Sequence, residues 1–238
     1  MPAEFEYTTQ RLEAIKLTLS PVRLGKYIEA TKVNGEERLI EAIKLYEYNT
    51  RLGEAFYGLL KDLEICLRNA INRTMTADEE SPGVPRGPFW FDTNYVMKKR
   101  TESLLFPGEA EDILKARNRL REQGKTELAD SIVALLSLGF WVMMTDSKYE
   151  RRLWYPSELE KAFPNYQART GRQPERQPIY NRLNNLRQLR NKVAHHEPVF
   201  AYNANQVLEA IFETMDWMCI HTANWARARV WLPKKPDF

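Results

Sequence analysis

At 238 residues, with hydrophobic residues at 43%, aromatics at 11% and only ten glycines, the chain has the make-up of one large packed domain and not of a disordered or fibrous protein. Its 35 basic and 32 acidic residues leave a net charge of +3, so any site for a polyanion must come from local clustering. Cys66 and Cys219 form no C-x-x-C pair and read as buried thiols; nothing in their placement supports a disulfide framework, and the histidines and cysteines lack zinc-ligand spacing. The start Met1-Pro2-Ala3-Glu4-Phe5-Glu6 is too acidic for a signal peptide. The longest apolar run, Ile132 to Met144, is shorter than the ~20 residues that span a bilayer. A cytoplasmic location without membrane contact is the expectation.

Thr9 to Leu19, with Leu12, Ile15, Leu17 and Leu19, predicts a short helix. Ser20-Pro21 restarts the chain as N-cap and first helical residue, with Val22, Leu24, Tyr27 and Ile28 as the apolar side and Asn34-Gly35 as the end. A helix from Glu36 and a longer successor capped by Asn49-Thr50 follow; the second, running to about residue 74, is apolar on more than one side and reads as a central core helix. The proline- and glycine-rich stretch from Asp78 to Pro107 predicts an irregular loop whose Phe89-Trp90-Phe91 cluster packs back onto the body.

Glu109 to Glu122 predicts a charged helix closed by Gly124, and Leu128 to Met144 one strongly apolar helix. Thr145 to Pro178 reads as irregular, with a short helix at Ser157 to Phe163. Ile179 opens a helix carrying Leu183, Leu186 and Val193, which Pro198 terminates. A last helix is predicted from Asn205 to about Val230. No strand-like alternation of convincing length and no repeat is visible. The predicted class is all-α, an antiparallel helical bundle with additional helices and long loops, in a single domain over 1–238 with 1–35 as an N-terminal helical extension.

Chemistry concentrates at the end of the 179–196 helix, in Leu189-Arg190-Asn191-Lys192-Val193-Ala194-His195-His196-Glu197-Pro198, which holds two of the three histidines. A guanidinium grips phosphate through paired donors, and imidazole, with an ordinary pKa of about 6.5, moves protons near neutral pH. Asn191 and His195 share a helix face; Arg190 and His195 stand about 140° apart on an ideal helix and can still converge on a phosphodiester with its ribose. Histidine would act as base on the 2′-hydroxyl or acid toward the 5′-oxygen, Arg190 would stabilise the phosphorane-like transition state, and no metal or other cofactor is needed. The bland alternative is that the histidines cap the helix C-terminus. Arg182, Arg187 and Lys192, part of a basic run that begins at Arg169, are candidate RNA contacts or solvated face charges.

Glu64, Arg68 and Asn69 form a second polar set within the predicted core helix. Glu64 and Arg68 have the favourable spacing for a plain intrahelical ion pair; the apolar surroundings also allow Glu64 to receive Arg190 or a histidine from a facing helix. Trp90, Trp154 and Tyr180 are either base-stacking surfaces or core residues.

The run Arg190 to His196 resembles the R-x4-6-H signature of the HEPN superfamily of helical ribonucleases. With Ser20-Pro21-Val22-Arg23-Leu24, Leu45-Tyr46-Glu47-Tyr48-Asn49 and Leu63-Glu64-Ile65-Cys66-Leu67-Arg68-Asn69-Ala70-Ile71 in that order, the chain is similar, over about residues 10 to 220, to Abi-like proteins, the AbiD and AbiF type of bacterial abortive-infection proteins. The resemblance implies a HEPN-like bundle that homodimerises so that two motifs line one cleft, a metal-independent endoribonuclease used as an antiphage or toxin-like device, and a possible antitoxin or defence-operon partner. It implies Arg190 and His195 as the catalytic pair, Asn191 as the polar residue after the arginine and Glu64 as a supporting acid. His196 stands outside the minimal signature, as a second acid/base group or a cap. Two other functions fit the same residues: a non-catalytic RNA-binding or regulatory module, and an interaction protein whose polar cluster fixes a dimer interface.

Overall fold

The computed structural model describes residues 5–77, 87–92, 94–97, 100–154 and 156–236. The described elements are helices, with two 3-10 turns and one small hairpin, so the all-α expectation holds. The first helix, α1 (Thr9–Leu19), ends at Ser20, whose hydroxyl accepts from the Arg23 backbone N–H at 3.2 Å and caps α2 (Pro21–Ala30). Leu24 and Tyr27 turn inward as expected. Val22 does not: it is 89% exposed, and Leu17 on α1 is 81% exposed.

Gly35, at φ 73°, allows the sharp entry into α3 (Glu36–Thr76), a single helix of 41 residues and about 60 Å. This corrects the expectation of two helices divided at Asn49-Thr50. Thr50 instead bonds back to the Tyr46 carbonyl at 3.0 Å. The Asn49 carboxamide oxygen accepts from the backbone N–H groups of Val199 at 2.6 Å and Phe200 at 3.0 Å. A polar pair that looks like a cap from the sequence is spent partly on a tertiary contact.

Of the 78–107 stretch, the run 78–86 lies outside the described residues. Trp90 and Phe91 are buried in a single 3-10 turn, and the Trp90 indole N–H donates to Asn72 Oδ1 at 2.9 Å, so the aromatic cluster does fold back onto the body. The stretch is not wholly irregular: β1 (Asn94–Met97) pairs antiparallel with β2 (Arg100–Ser103), in register Asn94 with Ser103 through Met97 with Arg100. Four residues per strand are too few for alternation to register as a pattern.

Then come α4 (Pro107–Glu122), α5 (Ala129–Leu135) and α6 (Leu138–Met143). The apolar run expected as one helix breaks at Leu136-Ser137, where Ser137 caps α6. The following region holds α7 (Pro156–Ala162) and an unexpected α8 (Tyr166–Thr170), which Gly171 ends at φ 71°. Next is α9 (Arg176–Ala194), which starts three residues before Ile179 because Pro178 falls in its first turn, where a missing N–H costs nothing. The predicted last helix is two, α10 (Ala204–Met218) and α11 (Ile220–Arg229), divided at Cys219 with φ −158°.

The core surrounds α3, whose buried residues Leu52, Phe56, Leu60, Leu63, Leu67 and Ile71 follow helical spacing. It packs against α2, α6, α7, α9 and α10. Trp154 is buried too and donates to the Met144 carbonyl at 2.6 Å. Trp90 and Trp154 are therefore core residues and offer no face to a nucleic-acid base.

Candidate active site

Ile179, Leu183, Leu186 and Leu189 are buried and hold α9 along α3. Arg190 follows Leu186 by four residues and Leu183 by seven, so it extends the inward stripe where that stripe runs out over α3. It reaches a cleft of about 290 Å³ lined also by Tyr57, Lys61, Glu64, Ile65 and Arg68. Glu64 and Arg68 are joined to each other at 3.0 Å, and the Arg68 guanidinium also donates to the Leu136 carbonyl at 3.2 Å. Arg190 shares their cleft and has no hydrogen-bond or ion-pair partner among the described residues. Three cations around one carboxylate, itself already neutralised by Arg68, leave this cleft positive.

Helix α9 ends in a Schellman motif. The Glu197 N–H bonds the Lys192 carbonyl at 2.8 Å and the His196 N–H bonds the Val193 carbonyl at 3.0 Å. The motif needs a left-handed residue at its corner, and that residue is His196, at φ 56°. Glycine is the usual occupant, since a side chain there costs about 1–2 kcal/mol. His195 is the last residue before the corner, its N–H on the Asn191 carbonyl at 2.9 Å. Because the chain reverses between them, the two imidazoles do not project as neighbours on one helix would. Both are exposed at the negative end of α9.

Two bonds fix this corner in space. Arg23 of α2 donates to the His196 carbonyl at 3.1 Å, and Asn49 of α3 holds the Val199 and Phe200 backbone. Between them opens a cleft of about 450 Å³ whose walls include Arg23, Asn49, Gly53, Tyr57, His196 and Glu197. A third cleft of about 380 Å³ is lined by Ser20, Arg23, Lys26, His195 and His196, among others. Tyr57 is common to the first two clefts; Arg23, His196 and Glu197 are common to the second and third. The three thus adjoin in a row, a segmented trough with Arg190 in one end cleft, His196 in the middle and far clefts, and His195 in the far cleft only.

Within a single copy, Arg190 and His195 therefore line different clefts. Asn191 and Asn69 line none of the three. Arg182 is bound to Glu213 of α10 at 2.8 Å and stacks over Trp217, as a strut between helices. Arg187 clasps Asn184 Oδ1 on its own helix at 2.8 Å. Lys192 lies over the Tyr202 ring, and its bond to the Tyr202 hydroxyl raises its pKa. The cations that do line the trough, apart from Arg190 and Arg68, are Arg23, Lys26 and Lys61. Nothing local distinguishes those three from other surface charges; only the packing of α2 and α9 on α3 brings them together. Asn49 carried only the signal of the Asn-Thr pair, which is that of a helix cap.

Among the described residues no group of three or more histidine, cysteine or acidic side chains converges as a metal site would require. No described helix is long and apolar enough to cross a membrane. Neither a curated protein nor a solved structure matches the chain. The sequence profile of the Abi-like proteins does match, over residues 19–201. That span takes in every residue lining the trough, from Ser20 to Val199, and most of the chain. On that match, the chain belongs to the Abi-like protein family.

Proposed function

We propose that this protein is a metal-independent endoribonuclease of a bacterial abortive-infection system, with the Arg190 to His196 motif as its HEPN-type active site. The observation that carries the reading is a guanidinium with no described protein partner, in a positive cleft that adjoins clefts lined by two exposed imidazoles at a helix end. Arg190 holds a non-bridging oxygen of the scissile phosphate. One imidazole, assigned to His195, takes the 2′-hydroxyl proton as the 2′-oxygen attacks phosphorus. The bond to the 5′-oxygen breaks, that oxygen takes up a proton, and the products are a 2′,3′-cyclic phosphate and a 5′-hydroxyl.

The reading includes a homodimer, since a second copy supplies the histidine that one copy holds in a separate cleft. Val22, 89% exposed and next to His195 in the third cleft, and Tyr57, 49% exposed at the junction of the other two, are the apolar surface such a partner would cover. Sedimentation as a monomer at assay concentration would remove this part.

Purified protein incubated with RNA in excess chelator is expected to cut it to cyclic-phosphate ends. Arg190→Ala and His195→Ala are each expected to abolish cutting with helix content and thermal unfolding nearly unchanged. Retained cleavage in both variants would sink the assignment. The placement of Arg190 and His195 in different clefts of one copy favours a second reading, in which the trough grips RNA without cutting it. Its signature is a mobility shift that weakens steeply with salt while strand length stays intact.

A further inference from the structure

The chain has six tryptophans, and four of them, Trp90, Trp141, Trp154 and Trp217, are buried. The other two, Trp225 at 54% and Trp231 at 67% exposed, both lie beyond the residues shared with the family. Tryptophan normally buries its large ring, so two exposed ones close together in sequence call for a reason.

Their setting is built. Ala223 and Ala226 turn inward on α10, which leaves His221, Trp225 and Arg229, at successive four-residue steps, along the outer side of α11. The Arg229 guanidinium lies 3.6 Å from the Trp225 ring centroid, flat enough to stack, and pairs with the buried Asp62 of α3. The indole is thereby held from one side and open on the rest. After the helix the chain is extended, and Val230 and Leu232 pack on the core, so Trp231 between them faces outward.

The charge matches. From Cys219 to Pro236 the chain carries Arg227, Arg229, Lys234 and Lys235 and no acid, whereas the whole chain has a net charge of only +3. Of the acids facing this region from other elements, Asp62 and Asp216 are buried and take up Arg229 and Arg227, and Glu209 of α10 is exposed and acts on Arg227, so the basic excess lies in the tail that holds Lys234 and Lys235. Asp62 stands one turn before Ile65, which lines the Arg190 cleft, so α11 is tied to the same stretch of α3 that walls that cleft.

We propose that the outer face of α11 and the 230–236 tail form a platform for single-stranded RNA, with bases stacking on Trp225 and Trp231 and the strand leading toward the Arg190 cleft. Flat aromatic faces among cations are what unpaired bases need, and every base has such a face. A membrane surface is the poorer match, because it requires a contiguous apolar helix face and the apolar side of α11 is turned into the protein. The proposal rests on the reading that the protein acts on RNA, but binding and cutting are measured separately.

The test is fluorescence anisotropy of a short labelled oligouridylate, in chelator, with the full chain carrying Arg190→Ala so that no strand is cut. In that background Trp225→Ala with Trp231→Ala is expected to weaken binding by about tenfold or more, and Trp225→Phe with Trp231→Phe to hold it within about threefold. Binding of a duplex of equal length, whose bases are already stacked, is expected to change little. Unchanged oligouridylate affinity in the alanine pair overturns the proposal. So does equal loss in the phenylalanine pair, or binding of phosphatidylglycerol vesicles in place of oligouridylate. Thermal unfolding of each variant guards against misfolding. Tryptophan-dependent binding without any RNA cutting by the wild type would leave the platform standing and the ribonuclease fallen; cutting without such binding would do the reverse.

Discussion

His196 is the residue where structure and chemistry pull hardest against each other. A left-handed corner filled by a β-substituted residue stores strain, and strain of this kind persists where the side chain is needed. His196→Gly removes the strain and loses some chain entropy, so it is expected to stabilise the protein by about 0.5–1 kcal/mol, a rise in Tm of about 1–3 °C. RNA cutting is expected to fall in the same variant. A more stable protein with full cutting would reduce His196 to a corner residue. Asn49 is the opposite case, buried with its carboxamide oxygen taken by two backbone N–H groups. Asn49→Ala strands the Val199 and Phe200 N–H groups and is expected to cost about 2–4 kcal/mol by chemical denaturation, with cutting lost as the corner loosens. Destabilisation below about 1 kcal/mol would show that water replaces the carboxamide. The sequence marked His196 as a cap or an acid/base group and Asn49 as a cap, but what each holds is decided by partners 173 and 150 residues away.

At the scale of elements, helical periodicity located the long helices, missed the short α8 and misplaced several ends, the last for a reason that recurs. Apolar spacing runs unbroken through Leu136-Ser137 and through Cys219, yet both are breaks. In each case a carbonyl that a continuous helix would have used internally is taken by a distant donor. Leu136 O accepts from Arg68 at 3.2 Å, and Trp217 O accepts from the Asn165 N–H at 3.0 Å. The converse happens in α3, where the apparent cap at Asn49 does not interrupt the helix. The break at Cys219 has a chemical consequence, because the thiol sits at the N-terminus of α11. Hydrogen bonds from the Thr222 hydroxyl and from the backbone there hold its pKa below the ordinary value, while burial, aided by Cys219 and Asp62, pushes Cys66 up to about 11. At about pH 8 iodoacetamide is expected to modify Cys219 well before Cys66, since the thiolate is the reacting form. Mass spectrometry finding Cys66 modified first would contradict this.

In the whole molecule, one long helix organises nearly everything. The trough exists because α2 and α9 both lie on α3, and the same packing buries tyrosines deeply enough to tie stability to alkaline pH. Burial pushes Tyr27 up to about 12 and raises Tyr149 as well, both above the usual value near 10. A raised folded-state pKa means stability is fully present below about pH 10 and is lost as pH rises toward 12, by about 1.4 kcal/mol per pH unit for each such tyrosine. Tyr27→Phe is expected to flatten that fall and change little at neutral pH. Denaturation curves of equal alkaline steepness would put Tyr27 outside the linkage.

The all-α class, the family, the polar motif at the end of α9 and the folding back of Trp90 and Phe91 were determined by the sequence itself. These depend on composition, on short-range periodicity and on residues adjacent in the chain, all of which act locally. What tertiary structure alone decided is which side chains meet. It committed Arg182 and Arg187 to other protein groups, set Arg23, Lys26 and Lys61 along the trough, put Arg190 and His195 in separate clefts and left Trp225 and Trp231 outside. A side chain's partner is set by the packing of helices far apart in the chain, where burial energy summed over many apolar contacts outweighs any single polar preference.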